Sequence, residues 1–280
     1  MKSTPYIIAE CGINHNGDMD IAKRLIDAAV MSGADAVKFQ KRNIELVYTK
    51  DELDQPRQSP WGTTTREQKE GLELSIEQYQ KLYTYCKSLK IDMSASCWDE
   101  MSVRQIAGLG VPWLKVPSAL ITDHPLLRVY KSTGLPLILS TGMSTVDEIH
   151  SAVAHILWEC DVTLLHCTST YPCAIEEINL LCIPWLKRRY GRAVGFSSHS
   201  KSPWPILGAV ALGATVIEAH ITLDHTMYGT DQPASLEPHA FRKMVCESRD
   251  MVAAMGDGKK VVYPSEEPIK AKLRKSVVRV

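Results

Sequence analysis

The segment Ala36-Val37-Lys38-Phe39-Gln40 is short, mostly apolar, and closes on a polar residue. A strand buried on both faces reads this way, because a parallel sheet covered by helices leaves no face to water. Seven further runs share its form: Tyr6 to Ala9, Ile91 to Ser94, Trp113 to Val116, Leu137 to Ser140, Val162 to His166, Ala193 to Phe196 and Val216 to Ile221. Their starts recur about every 30 residues, the length of one strand-helix-strand unit. Between them lie stretches with helical periodicity, such as Ile21, Leu25, Ala28 and Ala29, or Tyr79, Leu82, Tyr83 and Cys86. Ser75 and Gln78 precede the second of these at the spacing of a capping box. Eight strands alternating with helices predict an α/β fold, a (β/α)8 TIM barrel, as a single domain over residues 1–256.

The 280 residues allow two ordinary domains or one large barrel, and the regular strand spacing favours the barrel. Lysine plus arginine equals aspartate plus glutamate at 32 each, so the formal net charge is zero. Without excess positive charge, neither nucleic acid nor an anionic membrane is an expected partner. Only a short apolar stretch separates Met1 to Pro5 from Glu10, too little for a secretory signal or a membrane span, which predicts a cytoplasmic protein. The eight cysteines lack CxxC spacing and sit mostly in apolar runs, as reduced thiols do. Two stretches depart from the barrel rhythm. Lys41 to Leu72 is polar, contains Pro56, Pro60 and Gly62, and reads as a long structureless connection of the kind used as a lid or binding loop. Gly256-Asp257-Gly258 breaks the last helix and leaves a basic tail over 257–280.

In such a barrel, chemistry gathers at the C-terminal ends of the strands. There the sequence puts Glu10; Lys38 and Gln40; Ser94 and Ser96; Lys115 and Ser118; Ser140 to Gly142; His166 to Ser169; Ser197 to His199; and Glu218 with His220. Lys38 and Lys115 interrupt apolar runs, where an ammonium costs several kcal/mol to bury unless an anion accompanies it. With Ser96, Ser118 and Ser140 they form a candidate socket for a small phosphate and carboxylate; the alternative is an internal ion pair with Glu10 or Glu218. His199 and His220 end consecutive strands, whose axes lie about 4.8 Å apart, so the two imidazoles can share one divalent ion. A pair without a third protein ligand suits an open, hydrated site; singly, each reads as an ordinary hydrogen-bonded histidine. His166, between Leu165 and Cys167, reads equally as a packed core residue and stays outside the metal pair.

The segments IIAECGINHNGDMDIAKRLIDAA, GADAVKFQ, LILSTGM, LLHCTSTYP, GFSSHS, LGAVALGATVIEAHITLD and GTDQPASLEP together resemble, in order, the sialic acid synthase (N-acetylneuraminate synthase) family, over Tyr6 to about Pro238. The resemblance implies a (β/α)8 barrel that condenses phosphoenolpyruvate with an aldehyde sugar, N-acetylmannosamine or a related hexosamine, to a nine-carbon 2-keto acid and phosphate. It implies a divalent metal, Mn2+ or Mg2+, on His199 and His220, and phosphoenolpyruvate contacts at Lys38, Gln40, Ser96, Lys115, Ser118, Ser140, Ser169 and Ser197. It implies sugar-facing acids with catalytic roles at Glu10, Glu218 and Asp231, with Tyr171 beside them on the sugar. Asp231 enters through the resemblance alone.

Family members usually add a small antifreeze-like domain that reaches across a dimer to the partner's sugar site, so a homodimer is expected. This chain stops at Val280, about where the linker to that domain would begin, and is expected to lack it. Lys50, Arg57 and Arg66 in the long connection are then candidates to replace the lost cationic contact. Three local departures stand out: Leu120 where many members carry an acid, Ala95-Ser96-Cys97-Trp98-Asp99 where they read STPFD-like, and Gln232 where many have histidine. Rival readings are another phosphoenolpyruvate aldol-type synthase using a different aldose, a metal-dependent hydrolase or isomerase barrel, and a non-catalytic sugar-binding barrel. The NHNG segment at Asn14 to Gly17 and the EAHITLD motif favour the sialic type over the first.

Overall fold

Strand side chains alternate faces, so a barrel strand turns one row outward to the helices and one row inward. The structure, a computed structural model, describes residues 4–200 and 202–274. Its barrel strands are β1 (Tyr6–Gly12), β2 (Ala36–Lys41), β3 (Asp92–Cys97), β4 (Leu114–Val116), β5 (Leu137–Ser140), β6 (Val162–His166), β7 (Val194–Ser198) and β8 (Val216–His220). Each pairs in parallel with its neighbour in sequence, and β8 pairs with β1 to close the (β/α)8 barrel expected from the eight apolar runs.

The outward row supplies the main core: Ile7 and Ala9 of β1, Val37 and Phe39 of β2, and Met93 and Ala95 of β3 pack with helix residues such as Leu25, Ile26, Tyr79 and Leu82. The inward row forms a second, smaller cluster of Ile8, Ala36, Trp113, Ile138, Leu165 and Val216, which fills the floor of the barrel. Tyr6 closes it from below, edge-on to Trp113 at 6.5 Å. Two residues further along each strand the same row carries Glu10, Lys38, Lys115, Ser140, Cys167 and Glu218. The period of two therefore delivers one polar side chain directly above each apolar floor residue.

The helices behave as their sequence signals require. Met19–Ser32 is capped by Asp18 and ends at Gly33, and Ile76–Leu89 begins with the Ser75 and Gln78 capping box. The Lys41 to Leu72 connection, by contrast, is not structureless. It folds into helices Ile44–Val47 and Lys50–Leu53, a hairpin of Pro56–Ser59 with Gly62–Thr64, and helix Thr65–Leu72. Reciprocal capping boxes at Thr49 with Glu52 and Thr64 with Glu67 start two of these helices, a local signal strong enough to override weak periodicity. Trp61 meets Tyr228 edge-on at 5.5 Å, which fastens the insertion to the loop after β8. After helix Pro238–Ala254 the chain runs exposed and includes helix Glu267–Leu273; the rest of the expected tail, 275–280, lies outside the described residues. Among the described residues no helix is long and apolar enough to cross a membrane.

Gly195 tests how tightly the floor is packed. A Cβ there would lie 2.3 Å from the Val216 carbonyl oxygen and 2.6 Å from Leu165 Cδ2. Gly195→Ala should lower unfolding free energy by about 1–3 kcal/mol, the usual cost of overpacking. An unchanged urea midpoint would mean that β6, β7 and β8 can spread to admit a methyl group.

Candidate active site

The polar row above the floor encloses a cavity of about 250 Å³. At its base Lys38 is ion-paired with Glu10, donates to Ser96 Oγ at 3.0 Å, and lies 3.7 Å from Glu218 Oε2. Lys115 donates to Glu218 Oε1 at 3.1 Å, and Ser197 Oγ donates to the same oxygen at 2.8 Å. Gln40 Nε2 donates to Glu10 Oε1 at 3.1 Å. Backbone register sets these contacts: Glu10 lies opposite both Lys38 and His220, Gln40 opposite Ser96, and Glu218 opposite Ser197. The ion pairs read from sequence as the alternative to an anion socket are thus formed, among the same residues that would make that socket.

All four charged side chains are buried. Burial opposes ionisation of Glu218, but Lys115 and Lys38 outweigh it and hold the carboxyl well below the usual range. Burial likewise opposes the charge on Lys38, and Glu10 with Glu218 more than restores it, so its pKa is raised. For Lys115 burial wins and the pKa falls, with Glu218 opposing.

The upper wall is different in character. His199 Nδ1 faces the Thr168 carbonyl oxygen at 2.6 Å, and since a carbonyl only accepts, Nδ1 carries the proton. Nε2 is then a lone pair, to which the Tyr171 hydroxyl donates at 2.9 Å. Burial, with His220 adding to it, pushes the His199 pKa down to about 4, so the ring is neutral at physiological pH. The two imidazole centres are 5.9 Å apart. His220 Nδ1 is buried without a hydrogen-bond partner and lies 3.9 Å from Asp231 Oδ2. No group of three or more His, Cys, Asp or Glu side chains is placed to hold a metal among the described residues. What remains is a pair of imidazoles, that of His199 braced through its other nitrogen by a carbonyl in the manner of metal-ligating histidines; the pair fits an ion that keeps open positions.

Asp231 sits at the rim rather than on the cavity wall. Gly12, at φ +48°, leaves the space that lets it approach: a Cβ there would stand 3.1 Å from Glu10 Oε1 and 3.5 Å from Asp231 Oδ2. The loop that carries Asp231 is tied down by Asn14, whose Nδ2 donates to the Ile221 carbonyl and to Ser235 Oγ, both at 2.8 Å.

Comparison with known proteins identifies the family of this barrel. The NeuB family profile matches residues 25–260. The chain belongs to the NeuB, or sialic acid synthase, family. It is 38% identical over 283 residues to N,N'-diacetyllegionaminic acid synthase of Legionella pneumophila, covering 98% of this chain and 80% of that protein. It is equally 38% identical to the mouse (Mus musculus) N-acetylneuraminate-9-phosphate synthase, covering 99% of this chain and 78% of the relative. The crystal structure of N-acetylneuraminic acid synthetase from Leptospira borgpetersenii, in complex with citrate, superposes with a TM-score of 0.85 at 32% identity, covering 98% of this chain and 93% of that one. This NeuB-family chain is accordingly an enzyme of the transferase type.

Glu10, Lys38, Gln40, Ser96, Lys115, Ser118, Ser140, Ser169, Tyr171, Ser197, His199, Glu218 and His220 all line the one cavity. The cations expected from the insertion do not reach it. Lys50 and Arg57 are exposed, and Arg66 is engaged by Glu45 and Glu70. Leu120 is half-buried and packs against the main core, and its neighbour Ala119 lines the wall. Gln232 is fully buried, donating to the Asn14 and Tyr228 carbonyls at 3.2 and 3.3 Å, and fastens loops rather than facing the cavity. Sequence reasoning gave no role to Cys167, Met143 and Trp98, which lie on the wall, although Cys167 fell within the His166 to Ser169 strand end. The first was signalled by the period of two from Leu165, and the last sits two residues beyond Ser96.

The buried charges set a stability test. Glu218→Gln strands the Lys115 ammonium and should cost about 3–5 kcal/mol in urea denaturation. Adding Lys115→Met to that variant should recover more than half of the loss. Near wild-type stability for Glu218→Gln alone would mean that water, not the carboxylate, compensates the lysine.

Proposed function

We propose that this NeuB-family enzyme condenses phosphoenolpyruvate with an N-acylated hexosamine aldehyde, in the manner of N-acetylmannosamine, to a nine-carbon 2-keto sugar acid and phosphate. The observation that carries the reading is the pair of buried lysines among serine hydroxyls: Lys38 and Lys115 share one small polar cavity with Ser96, Ser118, Ser140, Ser169 and Ser197. Typical small-molecule pockets span about 300–1,000 Å³ with mainly apolar walls. A cavity of about 250 Å³ with charged walls suits one small acid at the base, with the sugar at the rim beside Tyr171 and Asp231.

In this reading Lys38 and Lys115 hold the carboxylate and phosphate, and the serines bond the remaining oxygens. Carbon 3 of phosphoenolpyruvate attacks the aldehyde carbon, whose oxygen takes up a proton. Glu10, oriented by Gln40 and Lys38, accepts a proton from the water that adds at carbon 2. The adduct loses phosphate by carbon-oxygen cleavage and its hydroxyl proton leaves, giving the ketone. A divalent ion, Mn2+ or Mg2+, would be held by His199 and His220 and would polarise the aldehyde oxygen as a Lewis acid. Positioning and charge compensation supply most of the rate.

The direct test is phosphate release on mixing enzyme, phosphoenolpyruvate, Mn2+ and a panel of aldoses. Release with a hexosamine supports the reading, release only with arabinose or erythrose phosphates would move the enzyme to a related synthase class, and none with any aldose would sink it. Lys115→Met should weaken phosphoenolpyruvate binding by about 2–5 kcal/mol while leaving aldose binding much less affected. Calorimetry with Mn2+ alone reads the metal pair separately: His199→Ala or His220→Ala should abolish the binding isotherm with the unfolding midpoint retained. Mn2+ binding that survives both substitutions would place the ion elsewhere.

A further inference from the structure

Two donors beside the cavity are buried with nothing to donate to. Trp98 Nε1 and Arg42 Nε are both screened from solvent, and neither meets an acceptor among the described residues. They belong to one stack, with the Arg42 guanidinium 4.7 Å above the centre of the Trp98 ring. Trp98 lines the cavity with Gln40, Met143 and Tyr171. Arg42 is fixed there by its other nitrogens: it donates to Gln40 Oε1, and its Nη1 and backbone N–H reach Glu73 at 3.5 and 3.2 Å. Lys41 also donates to Glu73, at 3.4 Å, so the insertion that ends at this glutamate holds the stack in place. A buried N–H without an acceptor destabilises a fold, and at the edge of a binding cavity it points to an oxygen that the ligand supplies.

We infer that the Trp98 and Arg42 stack is the specificity-determining end of the aldose subsite, presenting N–H donors to an acceptor oxygen on the far end of the sugar, either a hydroxyl or a phosphate. The inference rests on the proposed reaction and deepens it. Gln40 links the stack to Glu10, so a sugar seated there lies along one wall from the rim to the catalytic carboxylate.

Trp98→Phe keeps an aromatic ring under Arg42 and removes only the donor. With N-acetylmannosamine and its 6-phosphate as probes, it should raise the aldose KM about tenfold, the loss expected for one substrate hydrogen bond. The phosphoenolpyruvate KM should stay within about twofold and the thermal midpoint should not move, a split that a purely structural role would not produce. Arg42→Lys, which retains the charge and loses Nε and the flat stack, should raise the aldose KM likewise, with a further fall in kcat because it also frees the Gln40 that orients Glu10. A larger loss with the 6-phosphate assigns the oxygen to a phosphate, and a larger loss with the free sugar assigns it to a hydroxyl. Unchanged aldose KM in both variants, or equal rises for both substrates, overturns the inference while leaving the reaction standing. A wild-type enzyme that releases no phosphate with any aldose overturns the reaction and this inference together.

Discussion

Four buried charges inside a β-barrel constrain everything else in this molecule. Glu10, Lys38, Lys115 and Glu218 sit where a barrel of this size would otherwise be filled with aliphatic side chains, and each is affordable only because another lies beside it. The pairings demand a fixed strand register, since a slip of one residue would turn all four outward into the helix layer. Apolar packing below enforces that register: each floor residue, from Ile8 to Val216, stands two positions before a polar one. The floor thus aims the site as well as stabilising the fold.

That balance has a chemical consequence for the proposed reaction. The quartet is neutral as it stands, two ammonium groups against two carboxylates, with Lys38 and Glu218 both held in their charged forms by the pairing. Phosphoenolpyruvate would add net negative charge to a buried, neutral site. Serine hydroxyls can solvate that charge but cannot cancel it. A divalent cation held by His199 and His220 would restore the balance as substrate arrives, and would then serve in binding as well as in polarising a carbonyl.

The sequence was most legible where a single period governed it. Eight apolar runs located the strands, and residues at their C-terminal ends gave nearly the whole cavity lining, because in a parallel barrel strand ends and site coincide. It was least legible where short-range polar chemistry sets the structure. The Lys41 to Leu72 insertion carries no helical stripe, yet its Thr49 and Thr64 caps and the hairpin between them fold it, and Trp61 and Arg42 fasten it to the mouth. Leu120 shows the opposite case: the short turn Ser118–Leu120 packs that side chain, half-buried, against the core, so the turn rather than the strand period sets its direction. Asp231 had no periodic signal at all, since its position depends on Asn14 and Ser235 holding a loop more than two hundred residues from β1.

The same division between floor and rim accounts for how one family serves several sugars. This chain is equally similar, at 38% identity, to a relative named for a legionaminic acid and to one named for a phosphorylated neuraminate. Overall identity therefore cannot select the aldose. The charged base is locked by mutual pairing, so changing one member strands another in a medium that tolerates no unpaired ion. Rim residues carry no such penalty. Met143 and Tyr171 are exposed and Trp98 is half-buried, and exchanging any of them strands no charge. On the proposed reading, substrate choice would vary where substitution strands no charge, in the wall between Trp98 and Tyr171 rather than in the charged base beneath it.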